Sequence, residues 1–301
     1  MRVIYLLGRG RSGSTIVGKV LGAPDGWFSA GEVRTLWDPV LVQDSPCACG
    51  EPVSRCPVWS RVLARLEDLD RGRVARWQHE VLGESRLPRL LKGGSWPALE
   101  RYREAMARVY AAITEVTGCE TIVDTSKRPS YAMVVRGMPG VDPYFVHLVR
   151  DPRASAYSWR ARRYTGAAGA PVRTRGALDA TLRWDLLNLG SETVLHRAGT
   201  DRGMRLRYED FAAAPRAAVD AVAALAGTPP TGSAFLDDRT VQVPASHAIA
   251  GNPSGRAAGR VTVRPDGEWR ASQRPLDRWL ASAAALPFLR RYGYPLRSAD
   301  R

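Results

Sequence analysis

With 301 residues, 44 basic against 30 acidic side chains and a formal net charge of +14, the chain can bury a full core as one large domain or two small ones. No apolar run reaches the length of a membrane span, and no basic, apolar, small-residue leader precedes the first strand pattern, so a cytoplasmic protein is expected. The positive excess is scattered arginine with no lysine-rich tail, and no stretch matches a nucleic-acid-binding module. Small polyanionic ligands therefore fit the charge better than polynucleotides do.

The apolar run at residues 3–7 reads as a short buried strand. Gly8-Arg9-Gly10-Arg11-Ser12-Gly13-Ser14-Thr15 reads as a tight turn, and residues 16–21 open a helix. Amides curled before a helix N-terminus attract phosphate or sulfate, because they lack intrahelical acceptors and the helix dipole has the same sense. Ser12, Ser14 and Thr15 add hydroxyl donors. Gly8 and Gly13 occupy the frame G-x-x-x-x-G-K-[ST], yet its lysine position holds Ser14. Arg11 is the replacement charge. A loop so built suits a fixed phosphate or a transferring sulfuryl group better than the β- and γ-phosphates of a nucleoside triphosphate. An ordinary glycine-rich strand-to-helix turn is the plain alternative.

Farther on, residues 23–28 form a turn and a short extended piece. Glu32 stands beside Gly31 ahead of a short apolar helix, where it is either a helix-start carboxylate placed for the dipole or an acid returning to the mouth of the first loop. Residues 41–59 hold Cys47, Cys49 and Cys56 in the spacing C-x-C-G-x-x-x-x-x-C. Three thiols fall short of the usual four zinc ligands, and a reducing compartment argues against an obligatory disulfide. A locally ordered loop of packed or hydrogen-bonded thiols is expected, with zinc or a Cys47/Cys49–Cys56 bridge as the alternatives. Residues 60–92 are charge-rich and glycine-bounded, a lid or substrate-side insertion of about 38–98. A convincing amphipathic helix follows over 99–116 and ends at Gly118.

A second strand is predicted over 121–124, with Thr125-Ser126-Lys127-Arg128-Pro129 leaving its C-terminal end, where ligands gather in open α/β sheets. The strongest strand, 143–149, contains His147, read as a packed core histidine. Arg150-Asp151-Pro152-Arg153 leaves that strand, and a helix carrying Ser158 follows. Residues 164–175 look like a flexible connection. Residues 178–195 read as a long helix with Leu182, Leu186 and Leu189 on one side. A strand ending at Tyr208 comes next, then an alanine-rich helix over 211–226 with Pro215 in a first turn. Residues 227–268 are rich in glycine, proline and polar side chains, with 247–256 read as a ligand-covering loop, and 269–292 read as mostly helical. Repeated strand–helix units predict an α/β fold: a single domain, 1–301, with a mostly parallel central sheet flanked by helices, P-loop-like, with insertions.

Taken together, these motifs resemble the sulfotransferases that use 3′-phosphoadenosine 5′-phosphosulfate (PAPS), in the bacterial branch near tyrosylprotein and carbohydrate sulfotransferases. Gly10-Arg11-Ser12-Gly13-Ser14-Thr15 resembles the family's 5′-phosphosulfate loop. Val149-Arg150-Asp151-Pro152-Arg153-Ala154-Ser155-Ala156-Tyr157-Ser158 resembles its 3′-phosphate segment, and Tyr208-Glu209-Asp210 its tyrosine motif near the adenine. The resemblance implies that Arg150 and Ser158 hold the 3′-phosphate. Arg256, in a glycine-rich loop, is a looser match to a loop closing over that group.

In the tyrosylprotein branch a loop arginine stabilises the transferring group and a glutamate about twenty positions later acts as base, a pattern that Arg11 and Glu32 match. The small-molecule branch uses a loop lysine and a histidine base, and the loop with Asp124-Thr125-Ser126-Lys127 lacks that histidine. The implied assignment is Glu32 as base, Arg11 and Lys127 as charge stabilisers, and Ser12 as a donor to the leaving phosphate or a restraint on Arg11. The released product is adenosine 3′,5′-bisphosphate (PAP), and no metal is required. The expected partner is a small hydroxyl-bearing acceptor of aromatic, lipidic or glycosylated character, with Trp27, Trp37, Trp59, Trp77 and Trp96 as candidate lining. Neither nucleic acid nor a membrane span is expected, and a homodimer is left open. The rival readings are a P-loop kinase or nucleotide phosphotransferase, with Asp124 as a magnesium partner, and a non-catalytic nucleotide- or RNA-binding module.

Overall fold

Val3, Ile4, Tyr5, Leu6 and Leu7 are all fully buried, as a strand covered on both faces must be. They form β1 (Arg2–Gly8) in a computed structural model that describes residues 1–160, 174–228, 234–250 and 258–296. Side chains alternate across a strand. Val3, Tyr5 and Leu7 accordingly enter one core cluster, and Ile4 and Leu6 the other. With β2 (Trp27–Gly31), β3 (Thr121–Lys127), β4 (Asp142–Val149) and β5 (Gly203–Arg207), β1 builds a parallel five-stranded sheet of order β2-β3-β1-β4-β5.

One face of the sheet carries α1 (Ser14–Leu21), whose Val17, Val20 and Leu21 pack in the Ile4–Leu6 cluster. The opposite face is covered through α2 (Trp59–Ala64), α3 (Arg71–Val81), α4 (Leu87–Leu91), α5 (Pro97–Thr117) and α6 (Pro129–Arg136), which send Val62, Val74, Leu90, Tyr110 and Tyr131 into the other cluster. The amphipathic helix α5 starts with Pro97 in its first turn and stops at Gly118, left-handed at φ 70°, the asymmetry expected of helix ends. Trp37, Trp59 and the indoles of Trp27 and Trp96 are buried in the core. They pack there within the two core clusters and hold the layers together.

Past β4 come α7 (Pro152–Arg160) and α8 (Ala177–Ala198), and past β5 come α9 (Tyr208–Ala213) and α10 (Pro215–Leu225). The glycine- and proline-rich stretch 227–268 contains an antiparallel ribbon, β6 (Thr240–Val243) with β7 (Gly259–Thr262), and residues 251–256 of the expected ligand-covering loop, Arg256 included, lie outside the described residues. Three short helices, α11 (Glu268–Ser272), α12 (Pro275–Ala284) and α13 (Leu286–Arg291), complete the chain. Among the described residues no helix is long and apolar enough to cross a membrane.

One local expectation needs correction. The strand predicted to end at Asp124 runs on to Lys127 through a register shift against β1, so Thr125, Ser126 and Lys127 are strand residues and not a loop. On α8, Leu182, Leu186 and Leu189 are 53%, 60% and 52% exposed. The inward face uses Ala177, Ala180, Thr181, Trp184 and Asn188 instead, because small residues let α8 approach its neighbours closely.

Asp185, also on α8, is half-buried, and its Oδ1 has no hydrogen-bond partner among the described residues. Burial pushes its carboxyl up from 3.8 to about 7. A carboxyl raised on folding favours the native state below its unfolded value, and that contribution is lost as pH rises through the folded one. Asp185→Asn is therefore expected to melt above the parent at about pH 8 and level with it near pH 4, a difference that thermal melts across a pH series will read.

Candidate active site

The crevice forms where β1 and β4 lie side by side and their outgoing connections diverge, the place where open α/β sheets bind ligands. Gly8 adopts φ 136°, and a Cβ there would fall 2.4 Å from the carbonyl oxygen of Leu148. Only glycine lets the two strands stay paired at this exit. The turn beyond it is tied to the neighbouring segment. The indole of Trp159 donates to the Gly10 carbonyl (3.1 Å), and Arg150 Nη1 donates to the Arg11 carbonyl (3.1 Å). Arg11 sits at φ 74°, strained for a non-glycine residue, with its guanidinium 5.3 Å from the Trp159 ring centre.

Gly13 caps α1 in the left-handed region, φ 83°, and a Cβ on it would lie 2.3 Å from the Tyr208 ring. The first bond of α1 runs from Val17 N to Gly13 O (3.1 Å). The amides of Ser14, Thr15 and Ile16 thus precede the helical ladder and have no acceptor within it. Ser12 is 1% exposed and its Oγ has no hydrogen-bond partner among the described residues. A buried, unpaired hydroxyl beside a run of open amides fits an anion, since such a group is costly unless a ligand completes it.

The β4 exit is held rigid by charge. Asp151 accepts from Arg153 N (2.9 Å), Nε (2.9 Å) and Nη2 (2.7 Å), and Arg153 is fully buried. The amide of Asp151 donates to Glu209 Oε1 (3.0 Å), and Tyr294 donates to Glu209 Oε2 (2.8 Å). Burial pushes the Glu209 carboxyl upward against these hydrogen bonds. This clamp turns Arg150 toward the first loop, with its guanidinium 4.9 Å from the Tyr208 ring centre. Arg150 Nη2 also pairs with Asp266 Oδ2 at 2.5 Å, the arginine being 8% exposed and the aspartate 41%. Ser158 lies buried on α7. Tyr208 is the first residue of α9 and not the last of a strand.

On the other side of β1, Glu32 follows β2 and Lys127 ends β3. Lys127 Nζ donates to Glu32 Oε1 (2.5 Å) and to the Thr125 carbonyl (2.8 Å). Lys127 has φ 68°, the consequence of the bulge that re-aims its side chain toward the strand ends. Asp124, by contrast, is fully buried. It accepts from the Tyr110 hydroxyl and from Ser126 N, and burial pushes its carboxyl up to about 6. Its lone pairs are committed to the core side, which removes it as the magnesium partner of a phosphotransferase. His147 is fully buried on Asn188 (2.8 Å), and burial lowers its pKa to about 4, as a core histidine requires.

A family described as the sulfotransferase family matches the chain over residues 4–231. The chain belongs to the sulfotransferase family. Its reaction class is therefore sulfuryl transfer, and the protein is a transferase. Among solved structures this sulfotransferase is similar to the sulfotransferase domain from the curacin biosynthetic pathway, at 16% identity, with 98% of each chain covered and a TM-score of 0.53. It is also similar to the sulfotransferase domain from the Synechococcus PCC 7002 olefin synthase, at 16% identity, with 99% of this chain and 96% of that one covered and a TM-score of 0.48. The first likeness is one of fold. No curated protein matches the chain.

The fold thus brings Gly10, Arg11, Ser12, Gly13, Ser14, Thr15, Arg150 and Tyr208 to one crevice and pairs Glu32 with Lys127. Sequence reasoning missed Asp266, which lies far along the chain in a segment without period, and it missed the clamp of Asp151, Arg153 and Glu209. The acidic and basic spacing of Asp151 and Arg153 was visible, but their mutual neutralisation required the helix start that joins them.

Proposed function

We propose that the chain sulfates a hydroxyl of a small acceptor with apolar character, taking the sulfuryl group from PAPS and releasing PAP. The observation that carries this reading is the Arg150–Arg11 hydrogen bond, which ties a buried arginine at the β4 exit to the amide-rich turn at the β1 exit. Two anion grips held at a fixed spacing suit a nucleotide with phosphate at both its 3′ and 5′ positions. The 5′ end is assigned to Gly10, Arg11, Ser12, Gly13, Ser14 and Thr15, the 3′-phosphate to Arg150 and Ser158, and the adenine side to Tyr208. Arg256 keeps its proposed place over the 3′-phosphate.

When bound, the donor supplies a sulfuryl group whose bond to the 5′-phosphate oxygen breaks as the acceptor oxygen forms its own. Glu32 takes the proton of that acceptor hydroxyl, a role that requires an approach of about 3 Å. Lys127 exchanges its hold on Glu32 for the charge that develops on the transferring and bridging oxygens, and Arg11 supports it from the loop. Ser12 directs its unpaired hydroxyl to the leaving phosphate. None of these roles needs a metal ion.

Apolar character of the acceptor is supported by a cavity of about 210 Å³ whose lining includes Leu87, Pro129, Leu186, Leu187 and Leu189. It opens beside the N-terminus of α6, directly after Lys127 and Arg128 in the chain, and it gives the outward leucines of α8 a use. Thermal stabilisation separates this reading from its rivals. PAP at 100 times its Kd is expected to add about 2.7 kcal/mol, and ATP with magnesium or a short RNA much less. Stabilisation by RNA alone, or by ATP only with magnesium, would reject the proposal.

A further inference from the structure

Outside the crevice, Cys47, Cys49, Cys56 and His247 bring one ligand atom each to a single point, all four within 4.8 Å of one another. Cys56 Sγ lies 3.5 Å from Cys47 Sγ and 3.3 Å from His247 Nδ1. Tetrahedral zinc, with Zn–S of about 2.3 Å and Zn–N of about 2.0–2.1 Å, sets its ligand atoms roughly 3.3–3.8 Å apart. The Cys47–Cys56 and Cys56–His247 separations fall in that range, all four groups lie within 4.8 Å of one another, and a Cys₃His set is a standard structural zinc shell.

The backbone around them is built to hold that shape. Pro46 and Pro52 bridge as an antiparallel pair, Cys47 N donates to Glu51 O (2.8 Å), and Gly50 N donates to Cys47 O (2.9 Å). Gly50 takes φ 98°, which closes the C-x-C-G turn into a knuckle that a side chain would oppose. The histidine is placed from the far side. The Trp59 indole donates to His247 O (2.6 Å), and Ala48 N donates to Ala248 O (3.0 Å). Cys47 and Cys56 are fully buried, while Cys49 is exposed, so an ion reaches the cluster from solvent.

We propose that Cys47, Cys49, Cys56 and His247 bind one zinc ion as a structural site that clasps the segment around residues 246–250 to the cysteine loop. All four positions are filled by side chains, which leaves no open position for water or substrate and gives the ion a structural role. The clasp reaches the crevice through backbone alone. Ile249 N donates to Ala30 O (3.0 Å), and Glu32 N donates to Ile249 O (2.9 Å). The approach is so close that a Cβ on Gly31 would fall 2.2 Å from the Ile249 oxygen. Zinc thereby steadies the segment on which the Glu32 backbone rests, whatever acceptor or donor the enzyme uses. The motif supplied three thiols, one short of a site, because the fourth ligand lies 191 residues beyond Cys56.

The test uses the 301-residue chain purified without an immobilised-metal step, reduced for the metal measurements and kept without reductant for disulfide mapping. Elemental analysis is expected to find one zinc per chain, and chelation to lower the melting temperature. Cobalt(II) added to the metal-depleted chain is expected to give the thiolate charge-transfer and tetrahedral ligand-field bands of a sulfur-rich site. Cys49→Ser and His247→Ala are expected to weaken zinc affinity by ten-fold or more, of the order seen when even outer-shell partners are lost. Cys119→Ser, outside the cluster, is expected to keep its one zinc. The proposal is overturned if the wild-type chain carries no zinc and develops no cobalt bands, or if mass mapping finds Cys47 and Cys56 joined as a disulfide. Both readouts rest on the wild-type chain, so a variant that fails to fold does not blunt them, and neither depends on sulfuryl transfer.

Discussion

Glu32→Gln is expected to lower turnover by about 10²-fold or more, the scale of positioned general-base catalysis, while PAP affinity stays within about two-fold. The amide keeps the shape of the carboxylate and a carbonyl oxygen for Lys127, but it cannot take a proton. The backbone of Glu32 is held by Ile249 and its carbonyl by Thr35, so the substitution leaves the turn in place. Lys127 retains the Thr125 carbonyl as acceptor, but the pair is largely buried, Lys127 13% and Glu32 19% exposed, so the loss of the carboxylate charge is expected to lower the melting temperature. Single-turnover sulfation with saturating PAPS, set beside calorimetric binding of PAP, separates the two effects. Undiminished turnover removes Glu32 from the base role.

Arg150→Ala is expected to weaken PAP binding by about 10- to 100-fold, the worth of charge-assisted hydrogen bonds of about 1.5–3 kcal/mol. Part of that loss is indirect, because Arg150 also fixes the Arg11 carbonyl and lies over Tyr208. Without a nucleotide its second donor is taken by Asp266. A 3′-phosphate must displace that carboxylate, and half-exposed Asp266 can move out to water at small cost. Asp266→Asn is accordingly expected to tighten PAP binding several-fold, the opposite sign from Arg150→Ala. Calorimetric titration of both variants reads the two signs together. Unchanged affinity in Arg150→Ala rejects the anchor, and unchanged affinity in Asp266→Asn rejects the competition.

Local pattern carried much of the fold. The run at residues 3–7, the Pro97 start and Gly118 stop of α5, and Pro215 at the head of α10 were all legible, because burial and end-capping act over a few residues. The tight turn between β1 and α1 was legible for the same reason, since glycines and the helix start lie within one octapeptide. On α8 the leucine spacing marked one apolar stripe, and only the packing of the helix turned that stripe outward.

By itself the amino-acid order determined the alternation of strand and helix, the anion turn and the arginine segment that resembles its partner. Those features arise from interactions between near neighbours along the chain. Only the tertiary structure decided that the two grips sit on adjacent strands, that Lys127 meets Glu32, that Asp124 turns to Tyr110, and that His247 joins three distant thiols. Each is a meeting of side chains brought together by sheet order and backbone crossing. Such meetings leave no spacing rule in the one-dimensional chain, because long-range closure is set by the packing of the whole core and not by the residues that finally touch.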